Sequence, residues 1–205
     1  MLSDPTGSKA DSPIPPQRAV NAIEAHVDEE TIVTADSGNN RFWLLNFLQT
    51  PDTGTYFGSG GVGAMGWSVP AAVCASLLTD RPVVGVTGDG GFAMTMTSLE
   101  TAVEHRTSPV IVVLNDRSLG MVRQMQSADS RIEGVEFRDT DFVTVVEGLG
   151  ANATRVETER ALHEAIGDAL EAASPTVIDA RIDRDEEMEA TLQSSFYADV
   201  GGLHE

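Results

Sequence analysis

This chain is short of positive charge. Lys9 is its only lysine, and 13 basic residues in all face 32 acidic ones, for a net charge of -19. A nucleic-acid partner needs a positive footprint, so that class of function is disfavoured. Cysteine is nearly absent too. The single Cys74 excludes an internal disulfide and fits a reducing, cytoplasmic compartment. It lies in "PAAVCASLL", a context that predicts a buried structural thiol. No apolar run approaches the roughly 18 residues of a membrane span, so no membrane partner is expected. The opening "MLSDPTGSKADSPIPP" has neither a basic n-region nor an apolar h-region. It reads as a disordered lead-in over 1–15 rather than a signal peptide.

What is present is an ordinary globular composition. The chain has 205 residues, 41 % of them hydrophobic, enough for one domain with a proper core. In "PQRAVNAIEAHV" (16–27), Ala19, Val20, Ile23 and Val27 recur at helical spacing, with Pro16 where a first turn tolerates it. "TIVTAD" (31–36), "TYF" (55–57), "SPVIVVLND" (108–116) and "PTVIDARI" (175–182) read as strands, and "PVVGVTGDG" (82–90) as a strand and then a turn. "RFWLLNFLQ" (41–49), "FVTVVEGLG" (142–150) and "TERALHEAIGDALEAA" (158–173) read as helices. "WSVPAAVCASLL" (67–78) is apolar nearly all round and predicts a buried helix. "TSLETAVEH" (97–105) predicts a helix with Thr97 and Glu100 as a capping box.

Short strands with continuous apolarity, alternating with helices, imply a sheet covered on both faces. The expected fold is α/β: a three-layer sandwich with a parallel sheet of about six strands. The domain should run over 16–185, followed by a polar tail over 186–205.

In such folds ligands bind beyond the C-terminal strand ends. Three strands end there in polar or glycine-rich loops, "ADSGNN", "TGDGGFAM" and "LNDRSLGM". Asp89 and Asp116 close two of them. Carboxylates on adjacent strand ends can share a hard cation, and magnesium takes one or two carboxylates plus phosphate oxygens. Free turn and helix-start N–H groups suit a diphosphate. A fourth segment, "GSGGVGAMG" (58–66), fits the dinucleotide pattern G-x-G-x-x-G. A nicotinamide reading lacks its acidic ribose partner, because Asp80 falls in a loop after a helix.

"GDG", then 24 residues, then "ND" resembles the thiamine-diphosphate binding motif. "SGGVGAMGWSVPAA" is similar to a segment of acetolactate synthases and pyruvate oxidases, and "GMVRQMQ" to one of acetolactate synthases. The resemblance covers roughly residues 15 to 185 and implies thiamine diphosphate and Mg²⁺ as cofactors. It implies metal ligation by Asp89, the side chain of Asp116 and the backbone carbonyl of Ser118. Gly88, Gly90 and Gly91 would line the diphosphate, with Gly38, Asn39 and Asn40 from the first loop. Gly63 would meet the aminopyrimidine through its backbone, and Met65 would be the apolar wedge that bends the cofactor. Gly120 and Met121 would follow the metal loop towards it, and Asn115 would take a structural role. Arg123 could face substrate or be a surface arginine. The four histidines carry no expected role.

Two departures qualify the resemblance. The second asparagine of the motif is Asp116 here, which keeps an oxygen donor and adds a charge. The family's activating glutamate lies in a separate pyrimidine-binding domain, and no glutamate of this chain is assigned that role. The resemblance thus implies the cofactor-binding subunit of a 2-oxo-acid decarboxylase or carboligase, of the acetolactate synthase type. In such an enzyme the 2-oxo acid loses carbon dioxide and the remaining fragment passes to an acceptor. Activity would need a pyrimidine-domain subunit, and a homo- or hetero-oligomer is expected. The alternatives are a split simple decarboxylase, similar to sulfopyruvate decarboxylase pairs, and a non-catalytic remnant. The acidic, lysine-poor composition resembles proteins of salt-loving archaea, whose surfaces work in concentrated salt.

Overall fold

The computed structural model describes residues 12–52, 54–127 and 131–186. Six strands form a single all-parallel sheet: β1 (Ile32–Ala35), β2 (Tyr56–Gly58), β3 (Val83–Gly88), β4 (Val110–Asn115), β5 (Asn152–Val156) and β6 (Thr176–Arg181). Their order is β2-β1-β3-β4-β6-β5. The helices are α1 (Pro16–Glu24), α2 (Asn39–Phe47), α3 (Ser68–Leu78), α4 (Asp89–Thr95), α5 (Leu99–His105), α6 (Gly120–Ser127), α7 (Phe142–Gly148) and α8 (Glu159–Glu171). A short 3₁₀ turn, Met96–Ser98, joins α4 to α5. This is the three-layer α/β sandwich expected from the alternating pattern.

Strand pleating divides the core in two. Val110, Val112 and Leu114 of β4 pack with Val84 and Val86 of β3 under α1, α2 and α8. Ile111 and Val113 point the other way, into a layer with Phe92, Leu99, Phe142 and Val146. The Phe92 and Phe142 rings meet edge to face, 5.1 Å between centroids, which ties α4 to α7. Gly85 lets α3 settle on β3, because a Cβ there would stand 2.8 Å from Ile111 Cδ1 and 3.0 Å from Ala72 Cβ.

Several local expectations are corrected. Ile14 is fully buried and bridges Ile182 in parallel, so the ordered chain includes the end of the 1–15 lead-in. Residues 1–11 of that lead-in, and the tail from 187, lie outside the described residues. Pro16 does open α1. The helix at 67–78 forms but is buried on one side only, and Cys74 is exposed rather than buried. A helix without charges can be half-covered as easily as wholly covered, and its sequence has no periodicity to tell the two apart. The capping box at Thr97 and Glu100 is not made. The chain is already helical through α4 and the 3₁₀ turn, and Ser98 Oγ donates to the Thr95 carbonyl instead.

Three elements carried no clear signal, and one of them is α4, a helix from Asp89 where the sequence reads as a glycine-rich loop. β5 is an edge strand, "NATRV", exposed on alternate residues. Its polar outward positions hide it from a search for apolar runs. α6 buries none of its residues.

Candidate functional site

The chain runs β1–β2 towards one sheet edge and then crosses back to β3. The strand order therefore reverses between β1 and β3, with α2 on one face and α3 on the other. At such a switch point the loops after the strands part and leave a crevice. The cleft is lined by Ser37, Gly38, Asn39 and Asn40 after β1, and by Gly88, Asp89, Gly90 and Gly91 at the β3–α4 junction. Met65 comes from the glycine loop, and Asp116, Ser118, Gly120 and Met121 from the β4–α6 turn. Twelve of the thirteen residues expected at the site thus meet in one place. Gly63 is the exception. It holds a left-handed conformation (φ 68°) and donates to the Gly60 carbonyl at 3.3 Å, outside the cleft lining.

Asp36, given no role in the sequence reading beyond closing a strand, organises this edge. It is fully buried. Its Oδ1 accepts from the Ser37 N–H (2.8 Å) and the Trp67 N–H (3.1 Å). Its Oδ2 accepts from the Gly66 N–H (2.9 Å) and the Thr87 hydroxyl (2.7 Å). One carboxylate so fastens the end of β1, the glycine loop and the end of β3. Gly91 makes room for it, since a Cβ there would lie 2.3 Å from Asp36 Oδ2. The signal was a lone acid closing a β-branched strand, which sequence spacing could not join to Gly66 or Thr87.

The β4–α6 turn is held as firmly. Asn115 is buried, donates to Asp179 Oδ1 at 2.7 Å and accepts from the Arg117 N–H at 3.1 Å, the structural role expected of it. Asp179 in turn accepts from Arg155 Nε at 2.8 Å. Residues 133–137 cross the turn as a strap: Leu119 N–H donates to the Val135 carbonyl and Phe137 N–H to the Arg117 carbonyl, both at 2.8 Å. Asp116 Oδ1 accepts from the Ser118 N–H at 2.8 Å. Gly120 must lack a side chain, because its Cβ would stand 2.5 Å from Asp116 Oδ2 and 3.1 Å from Asn39 Nδ2.

Asp89 is 4 % exposed. Burial, and next the neighbouring Asp116 charge, push its carboxyl up to about 7. Burial also raises Asp116, against the lowering pull of its bonds to Ser118 and of Arg184 and Arg123. Two carboxylates so placed take up either a proton or a cation. Arg123 does line the cleft, and its guanidinium reaches the Arg184 carbonyl (3.2 Å) and Asp185 (3.4 Å). Arg184, not foreseen, pairs with Glu136 at 2.7 Å on the same wall. No histidine among the described residues lines the cleft. His26 lies just past α1 and packs on His163, with ring centroids 4.4 Å apart.

The surroundings suit a large anionic ligand with a cation. Asn39 Oδ1 is buried without a hydrogen-bond partner among the described residues. A Cβ at Gly90 would crowd Leu119 (2.9 Å), Phe137 (3.1 Å) and Met65 (3.4 Å), so the backbone there stays open to the cleft.

A family profile, thiamine pyrophosphate enzyme, C-terminal TPP binding domain, matches residues 36–180. The chain belongs to the thiamine pyrophosphate enzymes. The matched segment begins at Asp36 and contains every cleft residue named from the sequence. A probable acetolactate synthase large subunit of Methanococcus aeolicus is 35 % identical over 84 % of this chain and 30 % of its own length. The acetolactate synthase large subunit of Corynebacterium glutamicum is 35 % identical over 83 % of this chain and 29 % of its length. The solved thiamine diphosphate-dependent 4-hydroxybenzoylformate decarboxylase of Rhodococcus jostii RHA1 shares the fold, with a TM-score of 0.81 and 27 % identity. That match covers 90 % of this chain and 35 % of the other. This TPP-binding domain therefore spans about 30 % of the length of the curated relatives it matches. No helix among its described residues is long and apolar enough to cross a membrane.

Proposed function

We propose that this chain is the thiamine-diphosphate- and Mg²⁺-binding subunit of a 2-oxo-acid decarboxylase or carboligase resembling acetolactate synthase. The observation that carries the reading is the carboxylate pair of buried Asp89 and half-buried Asp116, set on adjacent strand ends over a glycine-lined cleft. Asp89, Asp116 and the Ser118 carbonyl would hold the cation, which removes the reason for either carboxyl to keep a proton. Gly88, Gly90 and Gly91, with Gly38, Asn39 and Asn40, would receive the diphosphate through backbone N–H groups and the Asn39 amide. Met65 would supply the apolar wedge for the cofactor, the Gly63 backbone would meet its pyrimidine, and Gly120 and Met121 would complete the cleft that receives it. When bound, the cofactor supplies the electron sink that lets a 2-oxo acid lose carbon dioxide.

The chain's own residues bind, orient and screen, and we assign the activating glutamate to a separate pyrimidine-domain chain in a homo- or hetero-oligomer. The acidic surface suits work in concentrated salt. Calorimetric titration with thiamine diphosphate and Mg²⁺ in molar salt tests the reading. Magnesium-dependent binding, lost in Asp89→Ala, is the expected result. Absence of binding both alone and with the pyrimidine-domain chain added would sink it and leave a non-catalytic remnant.

A second reading, a simple decarboxylase without carboligation, is favoured by the likeness to the Rhodococcus decarboxylase. Supplying pyruvate and other 2-oxo acids to the reconstituted complex separates the two. Aldehyde as sole product supports the decarboxylase, and a condensed hydroxy-oxo acid supports the carboligase.

A further inference from the structure

Asp179 is a buried acid that the binding of metal and diphosphate leaves unused. It lies on β6, is 1 % exposed and is not among the residues that line the cleft. In register it stands beside Val113 of β4 on one side and Arg155 of β5 on the other. Strand side chains alternate, so Asn115, two residues beyond Val113, shares its face of the sheet. Ile111, Val113 and Val177 on that face belong to the apolar core. A buried ion pair seldom adds stability over apolar residues of the same volume. A carboxylate in this layer therefore calls for another reason.

The reason lies in what a carboxylate cannot do. It accepts hydrogen bonds and donates none. Asn115, 2 % exposed, must turn its amide nitrogen to Asp179 Oδ1, at 2.7 Å. That fixes where its own Oδ1 points, and this oxygen accepts from the Arg117 N–H at 3.1 Å. A neutral amide at position 179 could show either oxygen or nitrogen, and Asn115 could then turn over. Arg117 needs holding, because its backbone is left-handed (φ 58°), a conformation that residues with a side chain disfavour. It stands between Asp116 and Ser118, the two proposed metal-binding positions of the turn. Asp179 Oδ2 meanwhile accepts from Arg155 Nε at 2.8 Å. The same guanidinium donates to the Thr140 carbonyl at 2.9 Å and anchors the chain just beyond the strap. From that strap the Phe137 N–H donates to the Arg117 carbonyl at 2.8 Å. Both backbone bonds of Arg117 thus trace back to Asp179.

We propose that Asp179 is a positioning residue for the metal-binding turn: it orients the Asn115 amide, which holds Arg117 left-handed and presents Asp116 and Ser118 ready-made to the cation. The inference rests on the Mg²⁺ and thiamine-diphosphate reading of the cleft. Without the clamp the turn relaxes, and a cation that must restore it binds more weakly. The left-handed residue sets the size of the effect. Loss of the clamp should lower the competent fraction, and the affinity with it, by roughly 5- to 30-fold.

The test is calorimetric titration of the purified full chain with Mg²⁺ in thiamine diphosphate, alone and with the pyrimidine-domain chain. Asp179→Asn keeps the side chain's size and should weaken Mg²⁺ by that factor. Asn115→Ala should do the same. The double variant should bind no worse than Asn115→Ala alone, since Asp179 acts through Asn115. Arg117→Gly should restore most of what Asp179→Asn loses, because glycine takes a left-handed backbone readily. A merely structural loss of the ion pair would not be mended there. In Asp179→Asn, Arg155 keeps Asp139 (3.3 Å) and the Thr140 carbonyl, so the native circular dichroism should persist. Should it not, Asn115→Ala leaves the ion pair whole and carries the test. Amide hydrogen exchange followed by NMR needs no ligand. The Arg117 amide should exchange faster in Asp179→Asn by the same factor, while the amides of β4 keep their protection. Unchanged Mg²⁺ affinity in Asp179→Asn, additive losses in the double variant, no recovery with Arg117→Gly, or an Arg117 amide as slow as in the parent would each overturn the proposal. A parent that binds no Mg²⁺ in either setting would overturn the functional reading instead, and the exchange result would still decide the clamp.

Discussion

Removing one charge from the cleft should make the protein more stable. Asp89 is buried and pushed from 3.8 up to about 7. Its folded-state value lies above its unfolded one, so its contribution is fully present below about 4 and is lost as pH rises towards 7. Between those values the native state keeps a proton that the unfolded chain has released. Above 7 the buried carboxylate ionises beside Asp116 and the penalty is complete. The displacement is worth on the order of 4 kcal/mol. Asp89→Asn keeps the size and one oxygen acceptor while removing the charge.

In chelator, the variant should therefore unfold at higher temperature than the parent, by up to roughly 8–16 °C at pH 8. About half of the gain should remain at pH 5.5. Differential scanning calorimetry from pH 5.5 to 8.5, clear of the isoelectric point near 4.3, reads this directly. Added Mg²⁺ should raise the midpoint of the parent and leave the variant unmoved. A variant less stable at every pH, or more stable by an amount independent of pH, would refute the reasoning. Either result would mean that Asp89 is not an ionisation penalty held in place for a cation.

Other consequences follow from the packing around the cleft. Asp36→Ala leaves the Gly66, Trp67 and Thr87 donors without their acceptor and should cost at least about 3 kcal/mol by urea denaturation. An unchanged midpoint would show that the glycine loop holds itself. Gly91→Ala forces a methyl group against Asp36 and Thr87 and should cost about 1–3 kcal/mol, whereas Gly60→Ala, with open space around it, should cost far less. Equal costs at both positions would contradict the close approach. With net charge -19, the unfolding midpoint should climb as KCl is raised, as repulsion is screened. A flat salt profile measured by circular dichroism would remove the link between composition and salt tolerance.

How much was legible beforehand differs from residue to residue. The buried strands announced themselves because a parallel sheet is covered on both faces, so "VIVVLN" can be apolar throughout. The loops that end β1, β3 and β4 were legible because parallel strands must deliver their C-terminal ends to one edge. That geometry alone joined Gly38, Asp89 and Asp116 across nearly eighty residues of chain. The spacing of "GDG" and "ND" then pointed to a diphosphate and a metal.

Pattern could not reach interactions that depend on which distant atoms meet. Asp36 looked like any strand-ending acid until the fold brought Gly66, Thr87 and Gly91 around it. Arg184 joined the cleft wall only because β6 lies beside β4. The capping box failed because the preceding residues were already helical, so the backbone donors had partners without Thr97. Cys74 and Leu78 are the clearest division. Local hydrophobicity records how much a side chain gains by leaving water, and on that ground the whole of α3 reads as buried. A sheet can cover only one side of a helix laid across it, and nothing local to α3 says which side.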